Sequence, residues 1–105
     1  MGAPPSATGE VVLERLQSLS HADLRRLVPR LFPDEYAPVW CGAACTIAFR
    51  EGQTLRIELG PEAERRLGAL RIVSTPLRLA FLGWSQGDFE AATRRLEQAL
   101  QQGGG

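Results

Sequence analysis

The feature that most limits the fold of this chain is a two-residue alternation of apolar side chains through its middle. Every second residue from Val39 to Phe49 is apolar, and the pattern resumes over residues 54–59 after a compact turn at 51–53. Successive side chains of a strand point to opposite faces, so this alternation is typical of strands with one buried face. Residues 39–50 and 54–59 are therefore predicted to form a β-hairpin.

Helical patterns flank this hairpin. Apolar stripes predict one helix over residues 8–19 and a second that begins at a capping box formed by Ser20 and Asp23 and ends or kinks at Pro29. A capping box of the same form, Ser85 with Asp88, opens a C-terminal helix that runs to about residue 100.

The remaining segments complete the predicted order. Residues 60–68 are expected to be a short helical or irregular connector, and two further strands are expected over 70–73 and 77–82, separated by a break at 74–76. The predicted fold class is α+β, a four-stranded mostly antiparallel sheet with helices packed on one face, in the order ααββ(α)ββα. We expect residues 9–102 to form one domain, between a disordered leader at 1–8 and a flexible tail at 103–105.

The chain contains no lysine, and its 12 basic residues, all arginine, balance 12 acidic residues. Without lysine there is no Schiff-base amine, no phosphate-loop lysine and no desolvated lysine base. Because its net charge is zero, the chain lacks the excess of basic residues that is typical of a dedicated nucleic-acid-binding domain. For the same reason, two copies of the chain repel each other little. These observations favour a protein that is not an enzyme, and no cofactor is predicted.

No apolar run approaches the roughly 18–20 residues that span a bilayer. Residues 1–9 have neither the basic start nor the apolar stretch of a secretory signal. We therefore expect a cytoplasmic protein without membrane association.

Three residues could bind a soft metal or carry nucleophilic chemistry: Cys41, Cys45 and His21. Both cysteines share the parity of the apolar residues, which predicts two buried thiols; a redox pair or soft-metal ligands are the alternative. Four residues of extended chain span about 13 Å, too far for a disulfide. A closed zinc site would lack one ligand, and the histidine is expected to be exposed, so no metal is predicted.

One arginine occurs in each predicted strand, on the parity opposite the core. These are Arg50, Arg56, Arg71 and Arg78. If the strands align, the four guanidinium groups share the open face of the sheet and could bind phosphate or carboxylate groups. Two alternatives are open: a solvated face on which Glu58 pairs across strands, or a protein interface, because Ala48, Val73, Ala80 and Leu82 lie on the same parity.

An aromatic, proline-stiffened loop precedes the hairpin. It contains Phe32, Tyr36 and Trp40, with Pro33 and Pro38 between them. Tyrosine and tryptophan are frequent anchors of protein interfaces, but the same side chains could equally cover the open end of a small core.

The segment from residues 77–81 through Leu100 forms a strand, a turn and a helix, and it resembles the closing segment of class I aminotransferases. The resemblance covers about a quarter of the chain and includes no catalytic residue. Those enzymes bind pyridoxal phosphate through a lysine, which this chain does not have, so no functional residue is carried over.

These observations predict a small interaction or assembly module that self-associates through the open sheet face or an exposed strand edge. Its partner would be a second copy, forming a homodimer, or another protein. The alternative is an anion- or nucleic-acid-binding protein that uses the sheet arginines. No catalytic residue is predicted, and the candidate binding residues are Arg50, Arg56, Arg71, Arg78, Tyr36 and Trp40.

Overall fold

The computed structural model describes residues 10–32, 36–49 and 52–104, which fold in the order βαβββββα. The strands are β1 (Glu10–Gln17), β2 (Val39–Cys41), β3 (Ala44–Ala48), β4 (Thr54–Leu59), β5 (Ala63–Leu67) and β6 (Leu70–Leu82). The helices are α1 (His21–Leu27), which a 3₁₀ turn at Val28–Arg30 extends, and α2 (Gln86–Gly104). No helix in the described ranges is long and apolar enough to cross a membrane. The expected leader at 1–8 lies outside those ranges.

Five strands form one antiparallel sheet in the spatial order β1-β6-β4-β3-β2, and β5 pairs with the first half of β6. The predicted α+β class with an antiparallel sheet is confirmed. The predicted strand number and the order ααββ(α)ββα are wrong, because the sheet has six strands rather than four. Two strands come from segments that the sequence pattern assigns to a helix and to a connector. The strand expected over 39–50 is two strands, and those expected over 70–73 and 77–82 are one, so these two differences cancel in the count.

The first of these segments is β1, where a helix over residues 8–19 is expected. Its register runs from Glu10 opposite Leu82 to Gln17 opposite Thr75. Val11 packs against the core, whereas Leu16 lies exposed on the other face. The apolar residues lie on both faces of the strand and show no clear two-residue period, and pairing with residues 75–82 of β6 favours the strand.

The second segment is β5, which lies within the expected connector at 60–68. It forms a hairpin with β6, and Gly68, at a φ of +63°, occupies the two-residue turn. β6 itself runs without a break through Pro76, so the break expected at 74–76 is absent. The backbone N–H of Gly60 donates to the carbonyl of Pro76 at 2.7 Å, just beyond the last β4–β6 pair. Pro76 has no N–H to donate in return, and the Gly60 carbonyl instead lies 2.6 Å from Nε2 of His21.

The single strand expected over 39–50 is two strands joined by a turn at residues 42–43. Gly42 has a φ of +62°, which favours glycine. Cys41 therefore lies opposite Ala44, and Cys45 lies opposite Trp40. This register places the two thiols on opposite faces of the sheet, where they cannot form a disulfide with each other.

Both predicted helix caps are present. The Oγ of Ser20 accepts from the backbone N–H of Asp23 at 3.1 Å, and the Oγ of Ser85 accepts from that of Asp88 at 3.2 Å. Hydrogen bonds from Arg26 and Ser20 also hold the pKa of the Asp23 carboxyl below its usual value. The predicted end of the second helix near Pro29 is confirmed, since α1 gives way there to the 3₁₀ turn.

One face of the sheet and both helices enclose the core. Its buried members include Leu24 of α1, Leu96 of α2, and Ile47, Leu55 and Phe81 of the sheet. α2 follows a tight turn at Gly83, where φ is +81° and an added Cβ would lie 2.9 Å from the Gly52 carbonyl oxygen. Because the buried residues of both helices pack on this one face, the other face of the sheet is left without a covering helix.

A buried hydroxyl ties β6 to the β1–α1 connection. Thr75 is 0% exposed, and its Oγ1 donates to the carbonyl of Leu19 at 2.7 Å. A buried polar group without a partner would cost free energy, and this contact satisfies the hydroxyl and the carbonyl together.

Candidate interaction surface

The face of the sheet opposite the helices, which we call the open face, contains no fully buried side chain. Antiparallel register brings side chains into rows that cross the strands. The first row is Glu10, Leu82, Thr54 and Ala48; the second is Val12, Ala80, Arg56, Thr46 and Val39; the third is Glu14, Arg78, Glu58, Ala44 and Cys41. All are exposed or half-buried, so no described element packs against this face.

The arginines of the open face are bound to a carboxylate. Arg56 Nε donates to Glu58 Oε2 at 2.7 Å, and Arg78 Nη1 lies 3.7 Å from Glu58 Oε1. Glu10 and Glu14 share the face, so its described part holds three carboxylates and two guanidinium groups. The described part of the open face therefore has no excess of positive charge.

The structure brings together only two of the four arginines expected to share this face. Arg56 and Arg78 lie on neighbouring strands. Arg71 and Val73 lie on the other face, because β6 is continuous and seven residues separate Arg71 from Arg78. Arg50 lies outside the described residues. The expected four-arginine surface depended on a chain break before Pro76, which the structure does not have.

Tyr36 and Trp40 lie on the covered side of the sheet. The Tyr36 ring is 4.9 Å from that of Phe49, and Phe32 also packs on Phe49 at 5.0 Å between centroids. The Arg25 guanidinium lies 4.4 Å from the Trp40 ring centroid. The loop aromatics therefore pack over one end of the core and leave the open face without an aromatic side chain among its described members.

The two cysteines differ in environment. Cys45 is buried in the core, and desolvation raises the pKa of its thiol to about 11. Cys41 is exposed at the edge of the open face. The prediction of a buried thiol is therefore confirmed for Cys45 and wrong for Cys41.

His21 links α1 to the segment between β4 and β5. Its Nε2 is 2.6 Å from the carbonyl oxygen of Gly60, and its backbone N–H donates to Glu62 Oε2 at 2.6 Å. The side chain is therefore half-buried rather than fully exposed as expected, and its contacts are structural. Within the described ranges, no group of three or more His, Cys, Asp or Glu side chains could hold a metal ion.

Residues 63–74, which we call the arm, form a two-stranded ribbon beyond the end of β4. Every residue of β5 is exposed, and Leu67 and Leu70, which flank the turn, are 52% and 64% exposed. Arg71 pairs with Glu64. Arg65 and Arg66 have no ion pair with any described residue. Sequence reasoning missed the arm, although a glycine turn between two leucines is the signal that could have found it.

A hollow of about 500 Å³ lies on the open face where the arm joins the sheet. Its lining includes the open-face residues Glu14, Leu16, Glu58, Pro76 and Arg78. Leu16 is 70% exposed. The hollow is therefore lined by apolar side chains and by charged side chains of both signs.

Comparison with known proteins finds no counterpart for this arrangement. No protein-family model, no curated protein and no solved structure matches the chain.

Proposed function

We propose that this protein is an assembly module that self-associates through the open face of its sheet. The observation that carries the proposal is the one-sided cover of the sheet, with helices on one face and exposed apolar and ion-paired side chains on the other. An antiparallel sheet with a solvated face usually alternates apolar and polar residues strictly, and the polar face needs no partner.

Apolar side chains interrupt that alternation on the open face. Leu16 and Val39 are 70% and 71% exposed, and Leu82 is also exposed. Val12 and Ala80 are further apolar residues of the second row. Mixed apolar and charged composition is typical of an interface between separately folded proteins.

Charge supports a second copy as the partner. The chain has a net charge of zero, so two copies approach without long-range repulsion. Glutamate and arginine alternate in the third row, from Glu14 through Arg78 to Glu58. A two-fold axis that passes between Arg78 and Glu58 places each of these side chains opposite its oppositely charged counterpart in the other copy.

Light scattering coupled to size-exclusion chromatography tests the proposal. We expect a dimer for the native chain, and monomers for Val39→Glu and Leu82→Glu, because each places a new charge in an apolar part of the interface. Ala91→Glu is the matched control, since Ala91 is an exposed residue of α2. A native chain that stays monomeric up to roughly 1 mM, where association would be worth only about 4 kcal/mol, would refute the proposal.

A further inference from the structure

Strand β1 is a long free edge of the sheet. It lies at one end of the strand order and pairs over eight residues with β6, its one partner among the described strands. β2, at the other end, has only three residues. β1 contains no proline, and its register with β6 has no bulge, so two common protections of an exposed edge are missing. A further strand can therefore pair with β1.

The register identifies the backbone groups on this edge. The N–H of Gly60 donates to the carbonyl of Pro76, so Pro76 and every second residue after it in β6 direct their backbone groups toward β4. Residues 75, 77, 79 and 81 therefore face β1, where they lie opposite residues 17, 15, 13 and 11. The groups that point away from the sheet belong to the alternate residues Glu10, Val12, Glu14 and Leu16.

The side chains of these four residues lie on the open face, and two of them are carboxylates without an ion pair. Neither Glu10 nor Glu14 forms an ion pair with a described residue. The register places Arg78 opposite Glu14, but the Arg78 guanidinium is directed to Glu58, 3.7 Å away. An antiparallel strand with a basic residue opposite each of the two carboxylates would complement them, since directly opposed residues lie about 5.5 Å apart.

The other side of β1 carries apolar side chains that are incompletely covered. Val11 and Leu13 pack against the core but are only half-buried, whereas Leu55 and Leu79 of the central strands are 0% and 2% exposed. The difference arises because β1 has a neighbouring strand on one side only. Apolar residues of an added strand would cover these two side chains.

Helix α2 provides a hollow for such apolar residues. Glu97 pairs with Arg15 of β1, and Asp88 accepts from Gln53, which precedes β4, at 2.8 Å. These contacts mark the two flanks of the helix. A hollow of about 340 Å³ lies on the flank of Glu97, toward β1, and is lined by Phe89, Glu90, Thr93, Arg94 and Glu97. The Phe89 ring packs on Phe81, which lies opposite Val11, so the apolar part of the hollow adjoins the free edge.

We infer that β1 binds an extended segment of another protein as an antiparallel strand, with basic residues opposite Glu10 and Glu14 and apolar residues opposite Val11 and Leu13. The β1 of a second copy is a poor occupant, because it adds two carboxylates and no cation to the open-face side of the pair. This inference goes beyond the proposed self-association and does not depend on it, since it uses the edge of the sheet.

A designed peptide tests the inference. The blocked and fluorescently labelled peptide Thr-Thr-Arg-Val-Thr-Val-Arg places its arginines opposite Glu14 and Glu10 and its valines opposite Leu13 and Val11. The control Thr-Thr-Val-Arg-Thr-Arg-Val has the same composition, but its arginines are two residues apart and cannot reach both carboxylates. We expect the control to bind about tenfold more weakly in fluorescence anisotropy. Equal binding of the two peptides, or no binding at 1 mM, would overturn the inference.

Hydrogen exchange of the backbone amides locates the bound peptide. Binding should slow the exchange of Glu10, Val12, Glu14 and Leu16, whose N–H groups point outward, and change that of Val11 and Leu13 little. Slowing confined to other parts of the chain would overturn the inference. Slow exchange of the four outward amides that depends on protein concentration without peptide would identify a second copy as the occupant and would also overturn it.

Substitutions in β1 separate the backbone from the charges. Val12→Pro removes an outward donor and no β1–β6 hydrogen bond, so the variant should fold and lose the peptide. Glu10→Arg combined with Glu14→Arg should lose the basic peptide and bind Thr-Thr-Glu-Val-Thr-Val-Glu instead. Val39→Glu, on β2, is the control and should keep the native affinity for the basic peptide even if it is monomeric. A charge reversal that leaves the preference between the two peptides unchanged would refute the assigned register.

Discussion

The hydroxyl of Thr75 provides a direct test of how β6 is held against the rest of the domain. Valine has nearly the same shape as threonine, so Thr75→Val removes the hydroxyl and leaves no cavity. The hydrogen bond to Leu19 is lost, and that carbonyl stays buried without its donor. Leaving a buried acceptor unsatisfied costs about 1–3 kcal/mol, so we expect about 2 kcal/mol of destabilisation.

That loss is large for a domain of this size. Total stability is about 5–15 kcal/mol, and 1 kcal/mol corresponds to roughly 4 °C in Tm for about 100 residues. Thr75→Val should therefore lower Tm by about 8 °C. Urea unfolding followed by tryptophan fluorescence measures the change, because Trp84 is buried and its Nε1 donates to Thr54 at 2.7 Å. The dependence on urea should keep its slope, since the surface exposed on unfolding is unchanged.

Two further variants isolate the hydroxyl. Thr75→Ser keeps the donor and removes one methyl group, which should cost only about 0.8 kcal/mol. Thr46→Val makes the same exchange as Thr75→Val at an exposed position of the open face and should stay within about 0.5 kcal/mol of the native chain. If Thr75→Val is also within that range, the hydroxyl does not contribute in the way that its burial and geometry indicate.

The remaining predictions concern thiol reactivity, backbone conformation and pH. At neutral pH a thiol reagent should modify Cys41 quickly and Cys45 only after unfolding, because burial raises the pKa of Cys45 to about 11; two fast thiols would contradict this. Gly83→Ala should destabilise the domain by about 1 kcal/mol or more in urea unfolding, whereas Gly87→Ala, where an added Cβ meets open space in α2, should be neutral or stabilising. The pKa of Asp23 is lowered in the folded state, so the carboxylate stabilises the fold above its unfolded pKa, and this contribution is lost as pH falls through the folded pKa. Asp23→Asn should therefore make the free energy of unfolding depend less on pH below about pH 4. An unchanged pH dependence in that range would refute the assignment.

The sequence predicts the segments in which local signals and tertiary contacts agree. The alternation over 39–59 does produce antiparallel strands, and the two Ser-x-x-Asp boxes do open helices. In each case the periodic face that the sequence displays is also the face that becomes buried. The hairpin turn at residues 42–43 was missed because the apolar parity continues through it without interruption.

The errors arise where local signals allow two answers or give none. The apolar residues of β1 are spaced as in a helix, and only pairing with the second half of β6 selects the strand. β5 is exposed on both sides, so it has no alternation to detect. The expected position of Arg71 is wrong for a different reason. β6 runs through Pro76 without a break, so Arg71 and Arg78, which are seven residues apart, lie on opposite faces of the sheet.

The arm connects these errors to the proposed function. A strand that is buried by its own chain must carry a periodic apolar face, whereas a ribbon that is buried by another copy needs only a few apolar residues where the two meet. Leu67 and Leu70 satisfy the second requirement at the tip, and the rest of β5 is free to carry charge. β5 is therefore held by its pairing with β6 and has no buried face of its own. Deleting residues 63–74 and joining the sheet by a short turn should therefore leave a folded domain, because β1 and β4 pair with residues 75–82 of β6. Loss of the fold would mean that the arm stabilises its own chain.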